Sequence, residues 1–255
     1  MTMKLTVIGC AGSYPGPDSP ASCYLLEAPY EGETFRLIID LGNGALGGLQ
    51  RVTDLRDINA VAISHLHADH CLDMCGFYVV GKYHPKGAFP TIPVFAPAGA
   101  GDYLSTAYGD VDGAGMTKQF DFRAWEASVS VEIGPFTVTP VLVDHPVDAF
   151  AIKVTDGTST MVYSGDTGPT EALARLVTGV DVFLSEASFV ESCDNPPNLH
   201  LTGAEAGEFA TRGGVGRLLI THIPAWTDRD EVLRDAKSTW DGPLELVTAG
   251  STYDI

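Results

Sequence analysis

A chain of 255 residues, 45% of them hydrophobic, is long enough to bury a large core and too apolar to stay disordered. No apolar run reaches the roughly 18 residues that a membrane helix requires. Residues 1–9 lack the basic start, long apolar stretch and cleavage site of a signal peptide and read as a strand. The formal net charge is −18, and the 15 Lys and Arg never gather into a basic run, so the sequence shows no nucleic-acid footprint.

The predicted elements begin with a strand at 4–9, a Gly/Pro-rich loop at 9–22 of a length that is often functional, and strands at 24–27 and 35–40. A helix at 45–52 precedes an apolar strand at 60–64, a helix at 71–83, a strand at 93–96 and a helix at 99–108. Strands at 129–133, 136–143, 150–154 and 160–163 follow without an intervening helix. Helices at 170–177, 202–211 and 229–239 then alternate with strands at 181–185, 217–221 and 244–247. Thr202 with Glu205 three residues later has the form of a capping box. Each half thus opens as a meander and ends in alternation. That order predicts the α/β class: an αββα sandwich of two mixed β-sheets flanked by helices. No linker-like segment divides the halves, so 1–255 reads as a single domain. Five cysteines, an odd number without a CxxC pair, point to reduced thiols and a cytoplasmic protein. Cys71 and Cys75, one helical turn apart, read as buried structural thiols.

Chemistry concentrates in His65-Leu66-His67-Ala68-Asp69-His70, directly after an apolar strand. Positions two apart in extended chain face the same way, so His65 and His67 can grip one ion. Asp69 and His70 lie where the chain turns into a helix and can reach a second. His145, Asp166 and His222 each sit just past the end of a predicted strand, where α/β folds commonly gather sites. His84, beside Pro85, is left as structural. Nitrogen and oxygen donors suit zinc best, with manganese or iron as alternatives.

This HxHxDH motif, followed in order by His145, Asp166 and His222, resembles the metallo-β-lactamase superfamily over essentially the whole chain. The resemblance implies two divalent metal ions. His65, His67 and His145 would hold the first, Asp69, His70 and His222 the second, with Asp166 bridging and Asp40 orienting the ligands. The segments Glu186-Ala187-Ser188-Phe189 and His200-Leu201-Thr202 are similar to the RNase Z branch. By that likeness the catalytic residues are Asp69, His200 as general acid and Glu186 as its partner. RNase Z itself carries a transfer-RNA-binding arm between the ligands matching His145 and Asp166, where this chain has only 20 residues.

Residues 7–28, 64–70 and 219–226 look most like compact actinobacterial RNase Z-like proteins, a group that includes atypical cyclic-AMP phosphodiesterases. The implied function is a dinuclear-metal phosphodiesterase acting on a small cyclic nucleotide. The expected partner is therefore a small anionic phosphodiester, with no stable nucleic-acid partner and no membrane. A thioesterase of glyoxalase II type, an RNA-processing nuclease and a metal-stabilised binding protein are the alternatives. RNase Z relatives are commonly dimers, so a homodimer involving Phe77, Tyr78, Val79 and Val80 is a further expectation.

Overall fold

A computed structural model describes residues 3–109 and 116–255; Met1 and Thr2 of the N-terminal stretch lie outside the described residues. The first half contains β1 (Lys4–Gly9), β2 (Cys23–Tyr30), β3 (Glu33–Ile39), α1 (Ala45–Leu49), β4 (Ala60–Ala62), α2 (Ala68–Cys71), α3 (Met74–Tyr83), β5 (Ile92–Ala96), α4 (Ala100–Tyr108) and β6 (Phe120–Ala124). The second contains β7 (Val131–Ile133), β8 (Phe136–Val143), β9 (Ala149–Thr155), β10 (Thr160–Tyr163), α5 (Glu171–Leu176), β11 (Val182–Glu186), α6 (Gly203–Gly213), β12 (Arg217–Thr221), α7 (Arg229–Thr239), β13 (Leu244–Leu246) and β14 (Thr252–Asp254).

Among the described residues the strands form two seven-stranded sheets, ordered β14-β1-β2-β3-β4-β5-β6 and β13-β12-β11-β10-β9-β8-β7. Both are mixed. β1 to β3 and β7 to β10 are antiparallel meanders, whereas β3 to β6 and β10 to β13 pair in parallel.

Alternation along the strands builds the layers. In β2, Tyr24 and Leu26 face the apolar layer between the sheets, while Cys23 and Leu25 face a second layer under α1, α3 and α4. In β10 and β11, Met161, Tyr163, Val182 and Leu184 enter the central layer, while Val162 and Phe183 pack under the helices of the second half. Period-two side-chain direction with both faces buried is what an αββα sandwich demands. The expected fold class is therefore the observed one. Among the described residues, no helix is long and apolar enough to cross a membrane.

Strand direction then places the site. β3 and β4 are parallel to each other, and β8, β10, β11 and β12 run in one direction, since β8 and β10 are both antiparallel to β9. Their C-terminal ends deliver Asp40, the 65–70 motif, His145, Asp166, Glu186 and His222.

Several boundaries differ from expectation; β2 runs on to Tyr30 and α1 ends at Leu49. The helix foreseen at 71–83 is two: α2 takes in Asp69 and His70, and α3 begins at Met74. The break has a cause in hydrogen bonding. Leu41 N–H donates to the His70 carbonyl at 2.7 Å, and the Asp73 carboxylate accepts from Leu46 N–H at 2.8 Å. β4 stops at Ala62 because Ser64 N–H leaves the ladder for the Asp40 carboxylate, 2.7 Å away. β6 and β14 were not foreseen. Both are sheet edges; β6 alternates Phe120 and Phe122 with Asp121 and Arg123, and the three-residue β14 exists only by pairing with β1.

Candidate metal centre

Among the described residues two groups of donor atoms that share Asp166 converge, each within 4.8 Å: His65, His67, His145 and Asp166, and Asp69, His70, Asp166 and His222; a third, Glu186, His200 and His222, adjoins them. In the first, His67 Nδ1 lies 3.0 Å from His65 Nε2 and 3.1 Å from His145 Nε2. In the second, His222 Nε2 lies 3.2 Å from His70 Nε2 and 3.1 Å from Asp69 Oδ2. A tetrahedral ion bound to imidazole nitrogens at zinc distances would have donor–donor edges of about 3.3 Å.

Asp166 faces both groups with different oxygens. Its Oδ2 is 3.7 Å from His65 Nε2, while its Oδ1 is 3.2 Å from His70 Nε2 and 3.4 Å from His222 Nε2. That Oδ1 is buried yet makes no hydrogen bond, an expensive condition for a carboxylate oxygen unless a cation takes it up. The donor set therefore fits divalent metal.

The atoms behind these donors fix their orientation. His70 Nδ1 is 2.7 Å from Asp40 Oδ2. Asp40 also accepts from Ser64 N–H, from the Ser64 hydroxyl at 2.8 Å and from the Tyr163 hydroxyl at 3.0 Å. His145 Nδ1 meets the Leu199 carbonyl at 3.0 Å, and His222 Nδ1 lies 2.9 Å from Ser188 Oγ. Backbone strain collects here too: Asp40 and His222 both have φ of 56°. Gly42 is required by close approach, because a Cβ there would stand 1.9 Å from the Asp69 carbonyl oxygen.

Electrostatics separates the imidazoles. Burial, reinforced by the charge of His70 and opposed by Asp166, holds His65 well below its ordinary pKa. Burial likewise lowers His67 and His145, leaving lone pairs free for a metal. For His70, burial also disfavours the cation, but the Asp166 and Asp40 carboxylates outweigh it and hold the pKa well above the usual range. A bound metal ion would take the place of that proton. Burial raises Asp69, yet hydrogen bonds with His222 and His70 bring it below the carboxylate range.

Glu186 and His200 stand beside this centre. Glu186 is fully buried. Its Oε1 accepts from Thr167 N–H at 2.8 Å and lies 2.9 Å from His200 Nδ1, while its Oε2 accepts from the Ser188 hydroxyl at 3.0 Å. Burial opposes a charged His200, but the Glu186 carboxylate, helped by Asp166, lifts its pKa to about 9. Thr202, two residues on, makes the expected capping box with Glu205 and anchors the end of the segment.

Every residue expected at the site is thus brought to one place. His84 is elsewhere, its Nδ1 3.0 Å from the Arg56 guanidinium. Cys71 is buried and Cys75 half-buried, and burial pushes the Cys71 thiol up to about 12. Among the described residues, neither joins a group of donors that could hold a metal ion. Phe77 and Tyr78 are consumed by the core, which leaves Val79 exposed on that helix. Ser64, Tyr163 and Ser188 carry supporting roles that sequence reasoning missed. Ser64 and Ser188 lie within segments already singled out in the sequence, but the Tyr163 contact spans 123 residues.

The model of the β-lactamase superfamily domain matches residues 36–223. An uncharacterized protein of Mycobacterium leprae is 45% identical over 260 residues, covering 100% of this chain and 89% of the relative. The crystal structure of the metallo-β-lactamase fold protein YhfI from Bacillus subtilis superposes with a TM-score of 0.86 at 26% identity, covering 100% of both chains. A ribonuclease Z of Halorubrum lacusprofundi is 23% identical, with 100% of this chain and 98% of the relative covered. With both sheets, the HxHxDH motif and the later His, Asp and His in their places, the chain belongs to the metallo-β-lactamase superfamily and has the organisation of its RNase Z-like branch.

Proposed function

We propose that the chain is a dinuclear-metal phosphodiesterase that hydrolyses a small cyclic nucleotide of the cyclic-AMP type, with zinc as the resident metal. His65, His67 and His145 would hold one ion, Asp69, His70 and His222 the other, and Asp166 both. Bound divalent cations would supply Lewis acidity toward the phosphoryl group and make water nucleophilic at neutral pH.

The observation that carries this reading is the Glu186–His200 pair, 2.9 Å apart beside the two donor groups. A ribose alkoxide leaves poorly and must be protonated as it departs, whereas a thiolate needs no such help. Glu186 holds His200 Nδ1, which directs the Nε2 proton toward the departing oxygen. Asp69, ligand and negative charge at once, keeps the deep imidazoles oriented. The tight turn between β9 and β10, closed by Asp156 N–H donating to the Ser159 carbonyl, leaves no inserted arm between His145 and Asp166. That favours a small diester over transfer RNA.

The test combines metal analysis with turnover of cyclic nucleotides, linear dinucleotides, bis(p-nitrophenyl) phosphate, a glutathione thioester and precursor transfer RNA. Metal-dependent hydrolysis of a cyclic nucleotide as the best substrate is the expected outcome. Preference for the thioester or the precursor would overturn it.

A further inference from the structure

We propose that Tyr14 and Trp226 form a stacking platform at the mouth of the metal centre that receives the base of a nucleotide. The inference rests on the phosphodiesterase reading and adds the aromatic half of the substrate.

Trp226 is 70% exposed, an unusual state for the largest apolar side chain. One face of its indole is covered by Tyr14, with ring centroids 4.8 Å apart and planes 28° apart. The remaining surface is open to a further planar ring. Offset stacking of this kind is how proteins hold single bases without reading their sequence.

The pair is fixed to the site. Tyr14 lies on the loop after β1 and Trp226 on the loop after β12, and the two loops are joined by a β-bridge between Ala11 and Ile223. A Cβ at Gly12 would stand 2.4 Å from the His222 carbonyl oxygen, so the two backbones touch there. Ser13, held at a φ of 62°, points its N–H at His222 Nε2, 3.5 Å away. The Cα of Tyr14 therefore lies within about 9 Å of that nitrogen. Thr227 N–H donates to the Pro224 carbonyl at 2.9 Å and closes the turn that carries Trp226. A ligand that is anionic at one end and a flat ring at the other matches this layout. A nucleoside monophosphate or cyclic nucleotide has that form; a bare phosphodiester lacks the ring.

The test is calorimetric titration of the metal-loaded protein with adenosine 5′-monophosphate and with ribose 5-phosphate, which share the sugar phosphate and differ at C1′, where one carries the base and the other a hydroxyl. The wild type should prefer the nucleotide. Trp226→Ala should weaken nucleotide binding about 10- to 100-fold while leaving ribose 5-phosphate binding where it was. Trp226→Phe should keep most of the affinity. No preference in the wild type, or an equal change on both probes, would overturn the platform. So would a Trp226→Ala variant that turns from dimer to monomer in sedimentation with nucleotide affinity unchanged, since the ring would then belong to an interface between copies. Turnover separates the two readings. If the wild type cleaves no phosphodiester but its nucleotide affinity depends on Trp226, the reaction is wrong and the platform stands. If it cleaves cyclic nucleotides and Trp226→Ala binds the monophosphate normally, the platform alone fails.

Discussion

The two donor groups resemble each other in chemistry and differ in depth. Of the imidazoles of the first, His65 is fully buried but His67 and His145 are only half-buried, while Asp69, His70 and His222 of the second are all buried. Support differs as well. His145 leans on a backbone carbonyl, but His70 leans on Asp40, which is itself held by Ser64 and Tyr163. A carboxylate in a hydrogen-bonded, fully buried setting cannot reorient without losing several contacts at once. The deep group is thus built for fixed geometry, and the outer group is the one a substrate can approach. Asp166 joins the two through its separate oxygens.

The most damaging way to break this comparison is to remove what the groups share. Asp166→Ala should abolish turnover of every substrate and lower metal content at both sites, a loss beyond the roughly 10²–10⁴-fold typical of a missing general acid. Elemental analysis showing full metal content in that variant would refute the shared role. His200→Ala should be next in size. Its loss is expected to be about 10²–10⁴-fold with a cyclic nucleotide and far smaller with bis(p-nitrophenyl) phosphate, whose leaving group needs no proton. An equal loss on both substrates, with metal content unchanged, would make His200 a positioning residue.

A smaller change sharpens the difference in depth. Asp40→Asn should weaken metal binding by about 10–100-fold, and chiefly at one of two resolved binding steps, because Asp40 touches His70 directly and reaches the outer group only through the Ser64 hydroxyl, 3.1 Å from His65 Nδ1. Competitive titration against a chromophoric chelator would resolve the steps. Uniform weakening of both would mean that Asp40 supports the whole rim rather than the deep group.

The same contrast explains what could be read from the chain. His65, His67, Asp69 and His70 are legible because one strand-to-helix junction supplies them all. The remaining ligands are single residues at strand ends, and they become a site only when β8, β10 and β12 run in one direction. Fold class was legible from the two meanders followed by alternation, since strands buried on both faces stand out as apolar runs. Tyr163 was invisible as a support because its partner, Asp40, belongs to the other sheet. The early end of β4 and the split between α2 and α3 were likewise hidden. Both follow from hydrogen bonds to residues over 20 positions away, which local propensity does not encode.

The gentlest test acts on the acid rather than the metals. Glu186→Gln keeps the shape of the side chain and its contact with His200 but removes its charge. The carboxylate is the main influence raising His200 to about 9 against the cost of burial. Without it, burial should prevail and the pKa should fall. His200 works as an acid only while protonated, so its contribution is present below its pKa and disappears as pH rises through it. The alkaline limb of kcat/KM for a cyclic nucleotide should therefore move to lower pH in the variant. The defect should be mild in acidic buffer and grow as pH increases, always remaining smaller than that of His200→Ala. With bis(p-nitrophenyl) phosphate the limb should barely move. A loss of the same size at every pH would show that Glu186 only orients the ring. An unmoved limb with full activity would show that the proton comes from another group.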